Sequence, residues 1–379
     1  MAKIAHITTV HPLSDPRILR KECRSLAKAG HDVTLIGPGQ NRDEEVPVEK
    51  GVRIVKTAYS SSRLGRALMG SVRVWRELAT LSPRLVHAHD PELLPLLLVW
   101  KLLHRRSVVV YDAHESLVGQ IEGKDYIPVL LRPVARAISW LALELVTRSI
   151  DGVVAATKHI EEGIPAQRTC VVQNFPWKSS FPEVERDNDT EGYFCYVGGV
   201  TKLRGIDEMV QAMEIANTGR KLVVVGQADE GAVKTMESAK EVVVYKGAVD
   251  SSEIPAILRG AIGGFVVLHP VSNYKTSQPT KLFEYMASGI PFIASEFRSW
   301  IELLGDIDAG HFVNPLDVEE IAQAILAIVD PRADAASMGA RGRRAFETRF
   351  SFDSQSRVLN DFTSMLLERQ RRSGGARIQ

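Results

Sequence analysis

The sequence contains little cysteine, no excess of either charge and no long uninterrupted apolar run. Its three cysteines, Cys23, Cys170 and Cys195, lack the spacing of a metal site or of a disulfide framework. Their scarcity favours a reducing compartment, so we expect a cytoplasmic protein. The formal net charge is +1 over 379 residues, which excludes a strong bulk attraction to nucleic acid, and we expect no nucleic-acid partner.

The two longest apolar stretches are not predicted to cross a membrane. Residues 93–103 are too few for a span and are interrupted by Lys101, and residues 127–146 contain two arginines and a glutamate. The N-terminus runs directly into a strand-like segment, so we expect no secretory signal. Residues 127–148 combine an apolar face with arginines, and such a face either packs in a core or contacts anionic lipid, here at the inner face of the plasma membrane.

The length and the remaining composition indicate two globular domains. Hydrophobic residues make up 45% of the chain and charged residues 25%, which is ordinary for globular proteins. Short apolar runs alternate with amphipathic stretches, so the expected fold is α/β, with two Rossmann-like doubly wound domains facing a cleft. The predicted strands are 4–10, 33–36, 85–88, 108–111 and 153–155, then 193–197, 222–225, 242–245, 265–268 and 292–294.

A stretch rich in proline, serine and charge separates the two sets of strands. We interpret this stretch, residues 175–192, as an interdomain linker. It leaves an acceptor-side domain at 1–174 and a donor-binding domain at 193–350. Residues 351–379 are predicted to form a helix over 354–367, packing back toward the first domain, and a frayed basic tail.

The most informative motif is SQPTKLFEYMASGIP at 277–291, which reads as a loop, a short helix and a glycine stop. The free N–H groups at the start of such a helix form an anion site. Lys281 in the first turn opposes the helix dipole unless an anion binds there, and Glu284, one turn later, could reach a ribose beside the same phosphates. The alternative is a solvated pair of side chains three residues apart on a helix.

A second motif follows the first strand of the second domain. Gly198 and Gly199 let the backbone approach a ligand, and the cations Lys202 and Arg204 follow within five residues. The third glycine of the dinucleotide-binding fingerprint is absent, which disfavours a dehydrogenase. The alternative is an ordinary turn from strand to helix with surface cations.

Three loops of the first domain carry polar groups at the predicted carboxyl ends of its strands. His89 follows one strand and His114 follows the next, and the loop after the first strand contains His11, Asp15 and Arg17. Such groups usually face the ligand cleft of a doubly wound domain, and the loop of His11 is predicted to face the acceptor. Each histidine alone could equally be a structural residue.

Together, the two motifs of the second domain resemble those of the family 4 glycosyltransferases, and the resemblance covers nearly the whole chain. It implies a double-Rossmann GT-B fold and transfer of a sugar from a nucleoside diphosphate sugar to a glycan or lipid-linked acceptor, with retained anomeric configuration. It also implies that Arg204 binds the donor diphosphate, that Glu284 binds the ribose and that His114 contacts the transferred sugar. Bacterial polysaccharide or cell-surface glycan synthesis is the implied setting.

The sequence departs from this family at two positions. The family commonly has an arginine where this chain has Gly199, and a first glutamate where it has Thr276. The first departure leaves Lys202 or Lys281 to supply the charge, and the second concerns contacts to the transferred sugar. Two alternatives therefore stay open: a sugar-nucleotide epimerase on the same fold, and a catalytically silent relative that binds nucleotide sugar.

No residue stands out as a covalent nucleophile, so we predict that catalysis depends on stabilising the leaving diphosphate. Lysine, arginine and a helix dipole can do this without a metal, and we expect neither a metal nor another cofactor. Asp306 and Asp308 have the spacing of a divalent-ion motif, but they lie in what reads as a polar turn. The predicted catalytic residues are His114, Arg204 and Lys281, and the donor site is completed by Gly198, Gly199, Lys202, Thr280 and Glu284.

Overall fold

The computed structural model describes residues 1–39, 48–59, 62, 65–115, 128, 131–183, 192–332 and 334–375. The chain divides into two compact units. The first contains Met1–Asn174 and Ser354–Gln379, and the second contains Phe175–Asp353. The predicted linker therefore divides into residues 175–183, which belong to the second unit, and residues 184–191, which lie outside the described part of the chain.

The first unit is built on a seven-stranded sheet in which all paired strands run parallel. The strand order is β3-β2-β1-β4-β5-β6-β7, so the order reverses between β1 and β4. Ligands of such sheets bind beyond the carboxyl ends at this switch point. The strands are β1 Lys3–Ile7, β2 Asp32–Pro38, β3 Val52–Thr57, β4 Leu85–Ala88, β5 Val108–Ala113, β6 Gly152–Ala155 and β7 Thr169–Val171.

Helices cover this sheet and bury apolar residues at helical spacing. In the helix Ser71–Leu81, for example, Val74, Leu78 and Leu81 are buried at i, i+4 and i+7. Two π-helical segments, Ile18–Cys23 and Arg66–Gly70, precede α1 and α2 respectively. The helices are α1 Arg24–Lys28, α2 Ser71–Leu81, α3 Leu94–Leu103, α4 Arg132–Ser149 and α5 Lys158–Glu162.

The second unit has a six-stranded parallel sheet in the order β10-β9-β8-β11-β12-β13. Alternate residues of β8 enter different hydrophobic cores: Phe194 and Tyr196 lie in one, Cys195 and Val197 in the other. Helices therefore cover both faces of this sheet, as predicted. The strands are β8 Tyr193–Val197, β9 Leu222–Val225, β10 Val243–Tyr245, β11 Ala261–Val266, β12 Phe292–Ser295 and β13 Gly310–Val313.

The helices of the second unit are short except near its end, and the last helix of the chain returns to the first unit. In that helix Phe362 and Leu366 pack close to Gly152 of β6, where a Cβ atom would come within 2.7 Å of the Phe362 ring. The helices are α6 Ile206–Ala216, α7 Glu230–Ser238, α8 Ile254–Arg259, α9 Ser272–Lys275, α10 Thr280–Ala287, α11 Arg298–Leu304, α12 Val318–Val329, α13 Ala335–Thr348 and α14 Phe352–Gly375.

The strand predictions fail at four of the described strands. β3, β7 and β13 were not predicted, and β11 begins four residues before the predicted strand 265–268. Its early part contains Gly263 and Gly264, because side chains there would collide with Phe194 and Tyr285. The chain then leaves the sheet after Val266, and the Leu268 N–H donates to the Ser295 hydroxyl over 2.8 Å.

Candidate functional site

Buried histidines and a carboxylate lie side by side on three neighbouring strands of the first unit. His6 of β1 is the register partner of His87 of β4, and Asp112 lies on the next strand, β5. His89 and His114 follow β4 and β5. The rings of His6, His87 and His89 lie with centroids 4.7 to 5.1 Å apart. The parallel topology thus brings the two histidines predicted from the sequence together.

A continuous set of hydrogen bonds connects these groups. His6 Nδ1 lies 2.9 Å from His89 Nε2, and His89 Nδ1 lies 3.0 Å from Asp112 Oδ2. The same carboxylate oxygen lies 2.6 Å from Nε2 of His114, which is partly exposed. Because the ionised carboxylate only accepts hydrogen bonds, a proton on Nε2 of His114 completes this contact.

Arg17 lies behind Asp112 and is buried. Its Nη2 donates to Asp112 Oδ1 over 2.8 Å, its Nη1 donates to the Val172 carbonyl over 2.7 Å, and its Nε lies 3.1 Å from Glu22 Oε1. The π-helical segment makes this possible: the Glu22 N–H bonds to the Arg17 carbonyl, five residues back. In an α-helix, side chains five residues apart point about 140° away from each other, so sequence periodicity gave no indication of this pair.

The buried charges of this cluster shift each other's ionisation. Burial alone would raise the pKa of Asp112, but Arg17 and His114 hold it well below its usual value. Burial and the Asp112 charge raise the pKa of Glu22 well above its usual value. Burial lowers the pKa of His6 and His87, so both are neutral near pH 7. These shifts favour the ionised form of Asp112 and the protonated form of Glu22.

The loop after β1 forms a second group of polar contacts around Asp90. The backbone N–H groups of Thr9 and Val10 donate to its Oδ2, and His11 Nε2 lies 3.4 Å from its Oδ1. His11 Nδ1 lies 3.5 Å from Asp15. Burial would lower the pKa of His11, but hydrogen bonding to Asp15 and the charge of Asp90 raise it.

The structure brings His11 close to His114, with ring centroids 4.8 Å apart. Asp15 accepts hydrogen bonds from the backbone N–H groups of Arg17 and Ile18, and its pKa is lowered to about 2, because His11 and these bonds outweigh the effect of burial. The polar atoms of Arg17 and His89 contact protein groups in the interior. That these residues contact the acceptor stays a prediction.

Three sets of side chains in the described part of the first unit hold potential ligand atoms within 4.8 Å of one another. One of them combines His89, Asp112 and His114, whose atoms are 2.6 to 3.3 Å apart. Arg17 already neutralises Asp112 at hydrogen-bond distance, which disfavours a second cation there. The absence of a metal from the mechanism stays a prediction.

In the second unit, the turn after β8 brings both predicted glycines against two cations. Gly198 has a φ of +126°, a conformation that favours glycine, and a Cβ atom on it would lie 3.2 Å from Lys281 Nζ. A Cβ atom on Gly199 would lie 3.1 Å from Arg204 Nη1. The two glycines therefore let an amine and a guanidinium approach the backbone of this turn more closely than side chains at 198 and 199 would comfortably allow.

Lys281 is buried, and none of the described residues accepts a hydrogen bond from its Nζ. The ammonium lies 3.8 Å from the centroid of the Tyr196 ring, whose hydroxyl donates to the Gly199 carbonyl. Burial, together with the charge of Arg204, lowers the pKa of Lys281 to about 7, although Glu284 opposes the shift. A buried amine without a partner is costly unless a ligand completes it.

This lysine lies in the first turn of α10, as predicted, and the helix begins at Thr280. The N-cap residue is Pro279, and its side chain does not cap the helix. Thr280 and Glu284 are partly exposed, so the open end of the helix, the ammonium and a carboxylate one turn later occupy one region. Such a combination can bind an anion beside a hydroxyl-bearing group.

Of the two cations after β8, only Arg204 points at this region. It is half-buried and its Nη1 donates to the Gly199 carbonyl over 3.3 Å. Burial would lower its pKa, but the hydroxyl groups of Tyr274 and Tyr196 raise it. Lys202 is 64% exposed and pairs with Asp207 at 3.1 Å. Its part in donor binding stays a prediction.

The aspartates with divalent-ion spacing form ion pairs with arginines instead. Asp306 lies 2.8 Å from Arg349, and Asp308 lies 2.7 Å from Arg341. Each of these two surface carboxylates is therefore paired with an arginine.

Two groups central to these sites were missed by sequence reasoning. Asp112 was visible between a strand and His114, but its position opposite Arg17 depends on the pairing of distant segments. Tyr196 looked like an ordinary strand residue, and nothing in its sequence environment indicates that its ring lies below Lys281.

The chain matches two protein families over consecutive regions. Residues 17–175 match Glycosyltransferase Family 4, and residues 191–330 match Glycosyl transferases group 1. No match was found among curated proteins.

Solved structures share this fold over nearly their whole length. Sucrose-phosphate synthase from Thermosynechococcus elongatus is 17% identical, with a TM-score of 0.75, over 97% of this chain and 100% of its own. HepE from Anabaena, solved with UDP and glucose, is 13% identical with a TM-score of 0.70, over 96% and 100%. A UDP-forming trehalose-phosphate synthase from Burkholderia vietnamiensis is 14% identical with a TM-score of 0.67, over 97% and 99%. These similarities confirm the GT-B fold.

Proposed function

The chain belongs to the family 4 glycosyltransferases, and we propose that it transfers a sugar from a nucleoside diphosphate sugar to a glycan or lipid-linked acceptor with retained anomeric configuration. The observation that carries this proposal is Lys281, a buried ammonium without a hydrogen-bond partner among the described residues, beside Arg204 and two glycines. A diphosphate supplies the missing partner. HepE, which shares the fold, binds UDP-glucose.

In the proposed donor site, the diphosphate occupies the space above Gly198 and Gly199. Lys281, Arg204 and the N–H groups of the first turn of α10 would then stabilise the charge that develops on the leaving diphosphate. Glu284, one turn further along, would accept hydrogen bonds from the ribose hydroxyls. This arrangement needs no metal ion, because two cations and a helix dipole already oppose the phosphate charge.

In the first unit, we propose that His114 contacts the transferred sugar. Asp112 would hold the ring of His114 in one tautomer, and Arg17 would hold Asp112 ionised. His11, whose ring lies against that of His114, would contact the acceptor together with Asp15. The proposed setting is cytoplasmic synthesis of a bacterial polysaccharide or cell-surface glycan.

A thermal-shift screen against nucleoside diphosphates and their sugar derivatives tests the donor site. A ligand present at 100 times its dissociation constant stabilises the folded state by about 2.7 kcal/mol, so one base should raise the melting temperature selectively. Glu284→Ala and Arg204→Ala should abolish this shift. Arg349→Ala, which removes a surface ion pair of the same unit, serves as the matched control and should retain it.

Incubation with the identified donor and an acceptor extract then tests transfer. Formation of a glycoside whose anomeric proton coupling matches that of the donor supports a retaining transferase. Epimerised free donor without an acceptor would identify an epimerase instead. Donor binding without turnover in any acceptor preparation would favour a catalytically silent relative, and the absence of any thermal shift would contradict the donor site itself.

A further inference from the structure

The ring of Tyr196, in strand β8, supports one of the two cations of the proposed donor site. This side chain is fully buried. The Nζ atom of Lys281 lies 3.8 Å from the centroid of its ring, well inside the distance of about 6 Å at which an aromatic face attracts a cation. None of the described residues accepts a hydrogen bond from this Nζ. The ring face therefore supplies attraction that a hydrogen-bond acceptor would otherwise supply.

The hydroxyl group of the same side chain supports the second cation. It donates to the Gly199 carbonyl over 2.7 Å, and this carbonyl also accepts a hydrogen bond from Arg204 Nη1 over 3.3 Å. Burial raises the pKa of the Tyr196 hydroxyl to about 12, although Arg204 opposes the shift, so the hydroxyl keeps its proton throughout the neutral range. The carbonyl that receives Arg204 is thus held by Tyr196.

A role in the hydrophobic core explains only part of this arrangement. Tyr196 shares its core with Phe194 and Phe265, and a phenylalanine would fill such a position as well. A buried hydroxyl costs free energy unless it is hydrogen-bonded, and a buried ammonium does so unless its charge is compensated. One tyrosine meets both needs, with its face and with its hydroxyl. This coincidence indicates a role in arranging the site.

The charge of Lys281 depends on a small set of neighbours. Burial and the charge of Arg204 lower the pKa of Lys281 to about 7, whereas Glu284 and Cys195 oppose the shift. The pKa of Arg204 is raised and that of Tyr196 is raised to about 12, so neither group changes its protonation between pH 6 and 8. The protonation of these two neighbours therefore stays constant while the amine titrates.

We propose that Tyr196 is a positioning residue of the donor site: its ring holds the Lys281 ammonium at the phosphate position, and its hydroxyl fixes the carbonyl to which Arg204 donates. This rests on the proposed function, because the donor diphosphate is the ligand of these two cations. The ring stabilises the charged amine before the donor arrives, so charging it on binding costs less free energy. The hydroxyl acts on Arg204, whose charge is constant. The two parts therefore predict different pH dependences.

Titration calorimetry at pH 6 and pH 8, with the sugar nucleotide found in the thermal-shift screen, tests the role of the ring. Tyr196→Leu removes the aromatic face, and the loss of a desolvated cation–π contact should lower the pKa of Lys281 from about 7 to about 6. Donor affinity should then fall about twofold at pH 6 and about ninefold at pH 8. A residue that only fills the core would weaken binding by the same factor at both pH values.

Tyr196→Phe tests the role of the hydroxyl, because it keeps the ring. It should weaken donor binding about fivefold at both pH values, as expected for one lost hydrogen bond, and should keep the pH dependence of the wild type. Phe194→Leu is the matched control, since it removes an aromatic ring from the same strand and core, and it should bind the donor like the wild type. If Tyr196→Leu does not fold, Tyr196→Met removes the ring with a side chain that adapts to irregular gaps.

An NMR titration of protein labelled at the lysine ε-carbons measures the charge of Lys281 without any donor. The signal that Lys281→Arg removes should titrate at about pH 7 in the wild type and in Tyr196→Phe, and at about pH 6 in Tyr196→Leu. Equal titration in all three proteins would overturn the role of the ring, and wild-type donor affinity of Tyr196→Phe would overturn that of the hydroxyl. Absence of donor binding by the wild type, with the titrations as expected, would instead contradict the proposed function.

Discussion

Donor binding should take up a proton at Lys281. Because the pKa of Lys281 is lowered to about 7 by burial, the free protein holds this amine largely neutral at pH 8, whereas a bound diphosphate requires the ammonium. If only the charged form binds, the apparent dissociation constant is multiplied by 1 + 10^(pH − pKa). The factor is about 1.1 at pH 6 and about 11 at pH 8, so affinity should fall about tenfold between them.

Titration calorimetry measures this uptake directly. An intact sugar nucleotide is the correct ligand, because its phosphodiester groups do not titrate in this range. At pH 8, binding heats in buffers of different ionisation enthalpy should show an uptake of about 0.9 protons, from the same pKa. Lys281→Arg keeps the charge at every accessible pH and should abolish both the proton uptake and the pH dependence.

Lys281→Met separates binding from stability. The unfolded chain binds more protons than the folded one between pH 7 and about 10.4, so the penalty of burying the lysine is fully present below pH 7 and decreases as pH rises. The variant should therefore melt at a higher temperature than the wild type at pH 6 while losing donor affinity. A wild-type affinity that is independent of pH, with no proton uptake, would refute the reasoning.

Two further predictions concern the buried network and the glycine turn. Asp112→Asn should lower the free energy of unfolding by about 3 kcal/mol, since it leaves Arg17 buried without its counter-charge, and should reduce kcat more than it raises the donor KM. Denaturant titration and steady-state kinetics measure these two effects. The control variant Asp151→Asn, beside Lys101, should lower the free energy of unfolding by about 1 kcal/mol or less and leave the kinetics unchanged. Gly198→Ala should weaken donor binding at least tenfold, because its Cβ would lie in the proposed phosphate position beside Lys281. Gly30→Ala is the control, since Gly30 also has a positive φ but a Cβ there would meet nothing within 4 Å, and it should affect stability alone. Equal donor binding by both variants would contradict the proposed phosphate position.

The sequence predicted the fold because both sheets are regular where they are rich in apolar residues. β4, β8 and β9 begin and end where predicted, since their apolar residues are almost all buried, on both faces of the sheets. The start of β11 was predicted four residues too late because the strand contains two glycines, Gly263 and Gly264. Side chains at these positions would collide with Phe194 and Tyr285, which belong to other segments. Steric complementarity of this kind is invisible to local propensity.

The candidate sites were likewise predictable only where they depend on local sequence. Lys281 and the start of α10 were predictable, since a helix terminus and its charge are local features. The ion pair between Arg17 and Asp112 was not predictable, because it joins residues 95 positions apart through a π-helical segment. The ring of Tyr196 below the ammonium was missed for the same reason: a strand pattern shows that a residue is buried but not what lies against it.

The return of α14 to the first unit has a consequence for synthesis. The second unit is continuous in sequence, from Phe175 to Asp353, so it can fold as soon as it has been translated. The first unit lacks its last helix until residues 352–375 have been translated, because Phe362 and Leu366 close over β6 and Asn360 donates to the hydroxyl of Ser25. A fragment ending at residue 174 would therefore expose part of its core. A stable isolated first unit would require residues 354–375 to be joined to it, whereas the second unit can be expressed as a single uninterrupted segment.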